Sequence, residues 1–271
     1  MKSTLLRLAP AAFALAAILP FPAHAHKMWL LPSATVVTGD TPWIGVDAAV
    51  SNTLFYADHV PLRLTGLAIT APDGSSVAAQ NVHTGKFRSV FDVELTQTGT
   101  YRIASVNSGL FASWKENGES KRWRGDVQGF ATQVPKDADE LQITQSHGRV
   151  ETFVTNGAPD SGALKPSGVG LELVAISHPN DLFEGEAAKF RLLIDGAPAS
   201  DLEVEIIPGA MRYRDNPDEI HAKTDAEGMF SVTWPAAGMY WIGASLQDDK
   251  ASAPATARRA SYTATLEVLP Q

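Results

Sequence analysis

Histidine is the residue type in this chain that offers the clearest chemistry, because the sequence contains no cysteine to supply a thiolate. Metal ligands would therefore have to come from imidazole, carboxylate, thioether or a free amine. None of the six histidines from His26 onward forms an HxH or HxxxH pair within that part of the chain. A metal site in this protein would have to be assembled from distant segments.

His26 differs from the other histidines because it follows a predicted signal-peptide cleavage point. Basic residues and an apolar run over residues 8–19 precede Ala23 and Ala25, which occupy the positions three and one before the cut. Cleavage after Ala25 would give a chain that begins with His26, whose α-amine and ring nitrogen can chelate one metal ion. One further histidine would complete a T-shaped three-nitrogen site suited to copper. The alternative is that His26 merely marks where the signal ends.

Three further histidines are candidate ligands. His178 follows a predicted strand and precedes a turn at the start of the second predicted domain, where it could face the first domain. His83 lies near a strand end, and His59 follows a short polar segment. Each has an ordinary alternative as a turn or surface histidine. The predicted metal ligands are therefore His26, His178, His83 and His59, whereas His147 and His221 are weaker candidates.

Export is the main prediction from composition. The apolar run over residues 8–19 is well short of the ~20 residues of a spanning helix, and no second run of that length follows. The absence of cysteine excludes a lipoprotein anchor and disulfides. We predict a periplasmic protein, released by cleavage of a signal peptide at residues 1–25, with no transmembrane segment in the mature chain.

The charge balance restricts the partners. The chain has 22 basic and 30 acidic residues, and removal of Lys2 and Arg7 with the signal leaves 20 against 30, a net charge of −10. An acidic surface argues against nucleic acid and anionic membranes as partners. It is compatible with binding of a cation.

The predicted fold class is all-β, with two immunoglobulin-like or transthyretin-like sandwich domains. Short runs of β-branched and aromatic residues are separated by Gly, Pro, Asn and Asp throughout. A glycine-rich segment over residues 156–170 is the best linker, so the predicted domains cover residues 26–160 and 168–271. Seven strands are predicted in the second domain, at residues 171–176, 187–194, 202–207, 219–224, 229–234, 239–246 and 262–269.

Residues 114–125 interrupt this pattern. The segment is charged and aromatic, with neither a helical nor a strand period, and we predict a long inserted loop or lid in the first domain. Its basic cluster at residues 121–124 could dock an anionic ligand or a membrane partner. The alternative is a solvated loop whose charges pair with neighbouring acidic residues, which contributes little to stability.

A short sequence pattern that occurs twice favours two similar domains. The segment that contains Gly99, Tyr101 and Ile103 parallels the one that contains Gly238, Tyr240 and Ile242. In a sandwich, such a tyrosine can pack at the edge and cap the fold with its hydroxyl group.

Four stretches carry a resemblance to a known family. These are residues 23–33, residues 150–159 (VETFVTNGAP), residues 170–182 (GLELVAISHPNDL), and residues 224–230 (TDAEGMF) with Gly238 and Trp241 behind them. In them the chain resembles the DUF4198 family of exported bacterial proteins, also labelled as a nickel-uptake substrate-specific family. The resemblance implies a periplasmic accessory protein linked to transition-metal uptake, with a β-sandwich architecture.

We therefore expect a non-catalytic protein that binds a divalent transition metal, which could be nickel, cobalt or copper, and passes it to an inner- or outer-membrane metal transporter. Two alternatives remain open. One is a carbohydrate- or protein-binding module without metal, which predicts an exposed aromatic patch around Trp114 and Trp123. The other is a copper-dependent oxidative enzyme built on His26. No Gly-x-Ser-x-Gly, P-loop or His-Glu-x-x-His motif supports any other enzymatic chemistry.

Overall fold

The structure is a computed structural model that describes residues 26–271. The predicted signal peptide, residues 1–25, lies outside the described residues. Nineteen strands and one short α-helix make up the regular structure, and no helix in this part of the chain is both long and apolar enough to cross a membrane. The α-helix is α1 (Val127–Gln133), and two 3-10 turns cover Gly162–Leu164 and Met211–Tyr213.

The strands of the first half run from Lys27 to Asn156. They are β1 (Lys27–Pro32), β2 (Val36–Val37), β3 (Trp43–Ser51), β4 (Val60–Pro61), β5 (Leu67–Thr70), β6 (Ser76–Val77), β7 (Gln80–Thr84), β8 (Ser89–Glu94), β9 (Gly99–Glu116), β10 (Glu119–Gly125) and β11 (Asp139–Asn156).

The strands of the second half run from Leu171 to Val268. They are β12 (Leu171–Ala175), β13 (Ala187–Ile194), β14 (Ala197–Pro198), β15 (Glu203–Pro208), β16 (Ile220–Lys223), β17 (Met229–Thr233), β18 (Gly238–Asp248) and β19 (Ala257–Val268). All seven predicted strands of this half are present. The eighth, β14, is a two-residue strand too short to leave a period in the sequence.

The all-β prediction is confirmed as a pair of sandwiches with a shared sheet. A ten-stranded sheet has the order β16-β15-β18-β19-β11-β9-β5-β6, with β10 and β2 paired to its side. A five-stranded sheet (β1-β3-β8-β7, with β4) covers the first half of this sheet, and a four-stranded sheet (β12-β13-β14, with β17) belongs to the second half. A buried apolar core lies in each half of the molecule.

The two halves join through a parallel pair of strands. Residues 144–152 of β11 pair in register with residues 257–265 of β19, which gives nine consecutive residue pairs. The segment over residues 157–170 carries no strand and only the 3-10 turn at Gly162–Leu164. The second half therefore extends the sheet of the first half, in addition to being connected to it through the chain.

The predicted long loop at residues 114–125 is wrong, because this segment is a β-hairpin. Strand β9 continues through Trp114 to Glu116, and β10 returns antiparallel to it. Asn117 and Gly118 make the turn with φ angles of +53° and +81°, as a type I′ turn requires. The alternation of a strand is hard to see in this sequence, because the half-buried side of the ribbon carries Lys121 beside Trp123. The exposed side carries Arg122 and Arg124, so charge falls on both faces.

The predicted tyrosine caps are confirmed in both halves. The Tyr101 hydroxyl accepts a hydrogen bond from the Gln97 amide at 2.7 Å and lies 3.3 Å from the Gln97 carbonyl oxygen. The Tyr240 hydroxyl donates to the Ala236 carbonyl oxygen at 2.8 Å. In each case the tyrosine bonds the backbone four residues upstream, and the glycine two residues before it adopts a positive φ.

Candidate metal centre

Two of the predicted ligands, His26 and His59, lie together. Their imidazole rings stack with centroids 3.9 Å apart and an angle of 7° between the planes. His26 directly precedes β1, and His59 directly precedes β4, and both side chains are exposed. The structure therefore brings together two histidines that are 33 residues apart in the sequence.

The backbone that follows His26 is held by the second half of the chain. The Lys27 ammonium contacts the Glu205 carboxylate on β15 at 3.0 Å and lies 4.7 Å from the centre of the Trp241 ring on β18. The Trp241 indole nitrogen donates to the Met28 carbonyl oxygen at 2.9 Å. Because these contacts involve the two residues after His26, the position of His26 depends on both halves of the molecule.

The loop that carries His59 is closed by Asp58. Its carboxylate accepts hydrogen bonds from the Asn52 amide at 2.8 Å and the Thr53 amide at 3.0 Å. Burial alone would raise the pKa of Asp58, but these hydrogen bonds outweigh it and lower the pKa. Asp58 therefore stays ionised and holds the loop across residues 52–58, immediately before His59.

A buried apolar cluster packs against both β1 and the loop that carries His59. Trp29 on β1 and Leu54 in the loop are almost fully buried, together with Ile207 and Trp241 from the second half. The Trp29 indole nitrogen donates to the Ser51 hydroxyl at 2.8 Å, which ties β1 to the start of the loop. A packed core of this kind fixes the loop backbone, because a shift would open a cavity among large side chains.

The two rings are close together but are not yet in ligand geometry. Two imidazole rings that bind one ion through nitrogens at about 2.05 Å have centroids about 4.5 Å apart at a right angle and about 6.4 Å apart in line. The stacked rings, at 3.9 Å, would therefore have to move slightly apart to share an ion. Since the lone pairs lie in the ring planes, one ring must rotate about its side-chain torsions before both nitrogens reach one ion, and both rings are exposed enough to do so.

Side chains alone do not complete the site. Over residues 26–271, no three side chains of His, Asp or Glu converge on one point. The α-amine of His26, which the predicted cleavage after Ala25 would set free, is the third nitrogen that this arrangement could supply. The candidate ligand set is therefore the amine and ring of His26 with the ring of His59.

His178 lies elsewhere and is bound within the protein. Its Nδ1 accepts from the Asn180 amide at 3.2 Å, so its Nε2 carries the proton and donates to the Asp160 carbonyl oxygen at 2.8 Å. The Thr100 hydroxyl is 3.1 Å from the same Nε2. Thr100 lies on β9, four strands from β15 in the shared sheet, which is about 19 Å. The contacts of His178 are those of a structural histidine that links the first half to the second.

His83 and His147 are apart from His26, whereas His221 lies closer, because it pairs across the sheet with Glu205, which binds Lys27. His83 lies on β7, three strands from β1 in the five-stranded sheet, which is about 14 Å. His221 is exposed on β16, and its Nε2 is 3.5 Å from the Glu219 carboxylate. His147 is half-buried at a different cavity of the shared sheet. The structure thus brings together one pair of the four predicted ligands.

Trp114 and Trp123 do not form an exposed aromatic patch. Both are half-buried in the β9–β10 hairpin. The Trp123 indole nitrogen donates to the Gln133 side chain at 3.0 Å, and its ring packs edge-on against Phe130 of α1. The side chains that the carbohydrate- or protein-binding alternative requires at the surface are therefore packed against the protein itself.

Sequence reasoning missed the residues that position His26. Lys27, Glu205 and Trp241 are far apart along the chain, and Lys27 and Glu205 are 178 residues apart. Trp241 belongs to a stretch that carries the family resemblance, so the sequence marks it as a family residue but does not reveal its hydrogen bond to Met28.

Residues 23–248 match the family described as "Domain of unknown function (DUF4198)". No curated protein matches the chain. Among solved structures, the chain is similar to the D0-D1 domain of intimin, with 12% identity and a TM-score of 0.22 over 89% of this chain and 97% of that one. The human OSCAR ligand-binding domain matches at 13% identity and a TM-score of 0.20, over 90% of this chain and 100% of that one. A marsupial T cell receptor matches at 9% identity and a TM-score of 0.21, over 90% of this chain and 73% of that one.

Proposed function

The chain belongs to the DUF4198 family, and we propose from its own residues that it is an exported, non-catalytic protein that binds a divalent transition metal at His26 and His59. The stacking of these two rings at 3.9 Å is the observation that carries the proposal. The signal-peptide pattern before His26 supports it, because cleavage there adds an amine ligand at the same place.

The surroundings of the two rings support a pre-organised site. The backbone on one side is fixed by Lys27 and Trp241, and the loop on the other side is fixed by Asp58. A metal site whose ligands are already placed loses little conformational entropy when the ion binds. The exposed position of both rings suits an ion that is taken up and released, since a transferred ion must remain accessible.

Nitrogen ligands without thiolate suit nickel, cobalt and copper, and copper binds most tightly at any such site. Tight copper binding alone would therefore not identify the physiological ion. We propose that the protein supports metal uptake by presenting the ion to a membrane transporter, and that it acts in the periplasm.

The test is calorimetry of Cu(II), Ni(II), Co(II) and Zn(II) binding to protein that begins at His26. Three variants accompany it: one extra alanine before His26, His59→Ala, and His83→Ala as the matched control. We expect the first two to weaken binding about tenfold or more, because each removes one of three nitrogen ligands. His83→Ala should bind like the parent protein. If the extra residue and His59→Ala leave the affinity unchanged, the proposed site is wrong.

A further inference from the structure

A cavity of about 210 Å³ lies on the face of the shared sheet opposite the His26–His59 pair, at the junction of the two halves. Its floor is formed by β11 and β19, and its walls by the linker before β12, the end of β13 and the loop after β18. An engineered cavity of about 150 Å³ accommodates benzene, so this one has room for a small organic molecule.

The buried charge in the cavity is Arg258, which is only 9% exposed. Its Nε and Nη2 donate to the two carboxylate oxygens of Asp248, at 2.9 and 2.5 Å, and its Nη1 donates to Asp195. A guanidinium has five N–H groups, so two remain beyond these three hydrogen bonds. Arg258 is therefore fixed in place by two carboxylates and still able to donate.

His147 supplies a second donor. Its Nδ1 is buried and has no hydrogen-bond partner within residues 26–271. A Cβ built at Gly170 would lie 2.0 Å from this nitrogen, so a Cα hydrogen of Gly170 points at it and leaves no room for a proton there. Burial, and next the positive charge of Arg149, lower the pKa of His147. The ring is thus neutral at pH 7 and carries its proton on Nε2, on the opposite edge.

The other lining groups add donors and few acceptors. The Gln145 side-chain oxygen accepts from the Ser252 amide at 2.8 Å, which leaves the NH₂ group of Gln145 to donate. Lys250 forms no ion pair among the described residues. Asp195 is the lining carboxylate, and its oxygens already accept from the Gly170 amide and from Arg258. The lining side chains Lys250, Arg258 and Asp195 carry a net charge of +1, which becomes zero when Asp248, bound to Arg258 just outside the lining, is counted.

The apolar part of the lining is small. Ala260 contributes to the floor, and Ile194 and Val169 contribute to the walls. Val169 is 54% exposed, so a ligand in the cavity would cover apolar surface that otherwise faces water. The cavity thus combines several free hydrogen-bond donors and an unpaired cation with a short apolar wall.

We propose that this cavity binds a small organic acid, with its carboxylate held by Lys250 and Arg258 and its short aliphatic chain against Ala260, Ile194 and Val169. A carboxylate supplies the acceptors that the free donors lack, and charge-assisted hydrogen bonds of this kind are the strong ones. The site is independent of the metal proposal, because the two lie on opposite faces of the sheet.

The test is titration of metal-free protein that begins at His26 with butyrate, followed by NMR amide shifts and calorimetry. Butyramide is the neutral isostere, and inorganic phosphate is the competing anion. We expect saturable butyrate binding with a Kd of about 1 mM, as is ordinary for a ligand of about six non-hydrogen atoms. Butyramide and phosphate should bind at least ~10-fold more weakly.

Two variants and one control locate the site. Lys250→Gln should weaken butyrate binding about tenfold, because it removes the charge. His147→Phe should also weaken binding, because it removes the Nε2 donor. It should leave the fold intact, because the polar atom that it removes from the interior, Nδ1, has no partner there. Lys189→Gln, at an exposed lysine on β13, should bind butyrate like the parent protein. The proposal is overturned if butyrate does not saturate, if phosphate binds as tightly as butyrate, or if Lys189→Gln weakens binding as much as Lys250→Gln.

Discussion

The indole nitrogen of Trp241 donates a hydrogen bond to the carbonyl oxygen of Met28 at 2.9 Å. Trp241 belongs to β18 in the second half, whereas Met28 is the second residue after His26. This bond fixes the start of the five-stranded sheet against the shared sheet. The Lys27 ammonium lies over the same indole ring, so one side chain holds two consecutive residues.

Replacement of this indole should loosen the proposed metal site without removing a proposed ligand. Trp241→Phe keeps an aromatic ring in the buried cluster but leaves the Met28 carbonyl without its donor. We expect a loss of about 1–3 kcal/mol in the free energy of unfolding, together with weaker metal binding and faster amide exchange at residues 27–30. Trp43→Phe, at an exposed tryptophan, is the control. Unchanged exchange at β1 in Trp241→Phe would contradict this role.

The Asp58 loop should open at low pH. The folded-state pKa of Asp58 is lowered by hydrogen bonds from the loop backbone. A carboxyl group with a lowered pKa adds stability above its unfolded-state pKa, near 3.9, and this stability is lost as the pH falls through the folded-state value. Amide exchange at Asn52 and Thr53 should therefore accelerate on acidification. Asp58→Ala should show the fast exchange already at neutral pH, and a protected loop in that variant would refute the assignment.

Two buried glutamates beside Arg149 should respond differently to neutralisation. Burial raises the pKa of Glu151, and its attraction to Arg149 and the hydrogen bond from Tyr262 only partly oppose this. Burial acts in the same direction on Glu172, but hydrogen bonds from Ser167 and Gly168 and the charge of Arg149 lower its pKa. The fold thus favours the ionised form of Glu172 and the protonated form of Glu151.

Glu172→Gln should cost about 1–3 kcal/mol at pH 7, because it removes a charged acceptor that holds the linker amides. The contribution of Glu172 is present above the unfolded-state pKa of about 4.3 and is lost as the pH falls. The contribution of Glu151 is present below that pKa and is lost as the pH rises, so Glu151→Gln should change stability at pH 7 by less than about 1 kcal/mol. Chemical denaturation of both variants checks this, and equal losses would show that the two carboxyls act alike.

The two tyrosine caps should contribute independently. Tyr101→Phe and Tyr240→Phe each remove one hydroxyl that bonds the backbone four residues upstream. We expect each to cost about 1 kcal/mol in the free energy of unfolding, and the double variant to cost about the sum, because the two sites share no partner. Tyr213→Phe, at an exposed hydroxyl, is the control. A double variant that costs much less than the sum would show that the caps are coupled.

The strands of the second half could be predicted because each buries one face and exposes the other. Phe190 and Leu192 on β13 alternate with Lys189 and Arg191, and this pattern marks a strand whatever its neighbours are. The hairpin at Asn117 and Gly118 was missed although its turn signal stands in the sequence, because the flanking charges hide the strand period.

The His26–His59 pair could not be predicted as a pair. His59 approaches His26 because Asp58 closes the loop after β3 and because Trp29 and Leu54 pack beneath it. Neither interaction leaves a spacing in the sequence. The same holds for Lys27 and Glu205, which meet only after the second half has docked on the first. A site assembled by tertiary packing is visible only in the folded chain.

The parallel pairing of β11 with β19 makes the linker a poor place to divide the molecule. A fragment that ended there would leave residues 144–152 of β11 with unpaired backbone groups along one edge, and the removed part would carry the matching edge of β19. Open edges of this length recruit other strands and promote aggregation. Each half therefore covers an open strand edge of the other, and we expect the two halves to be stable only when they are produced together.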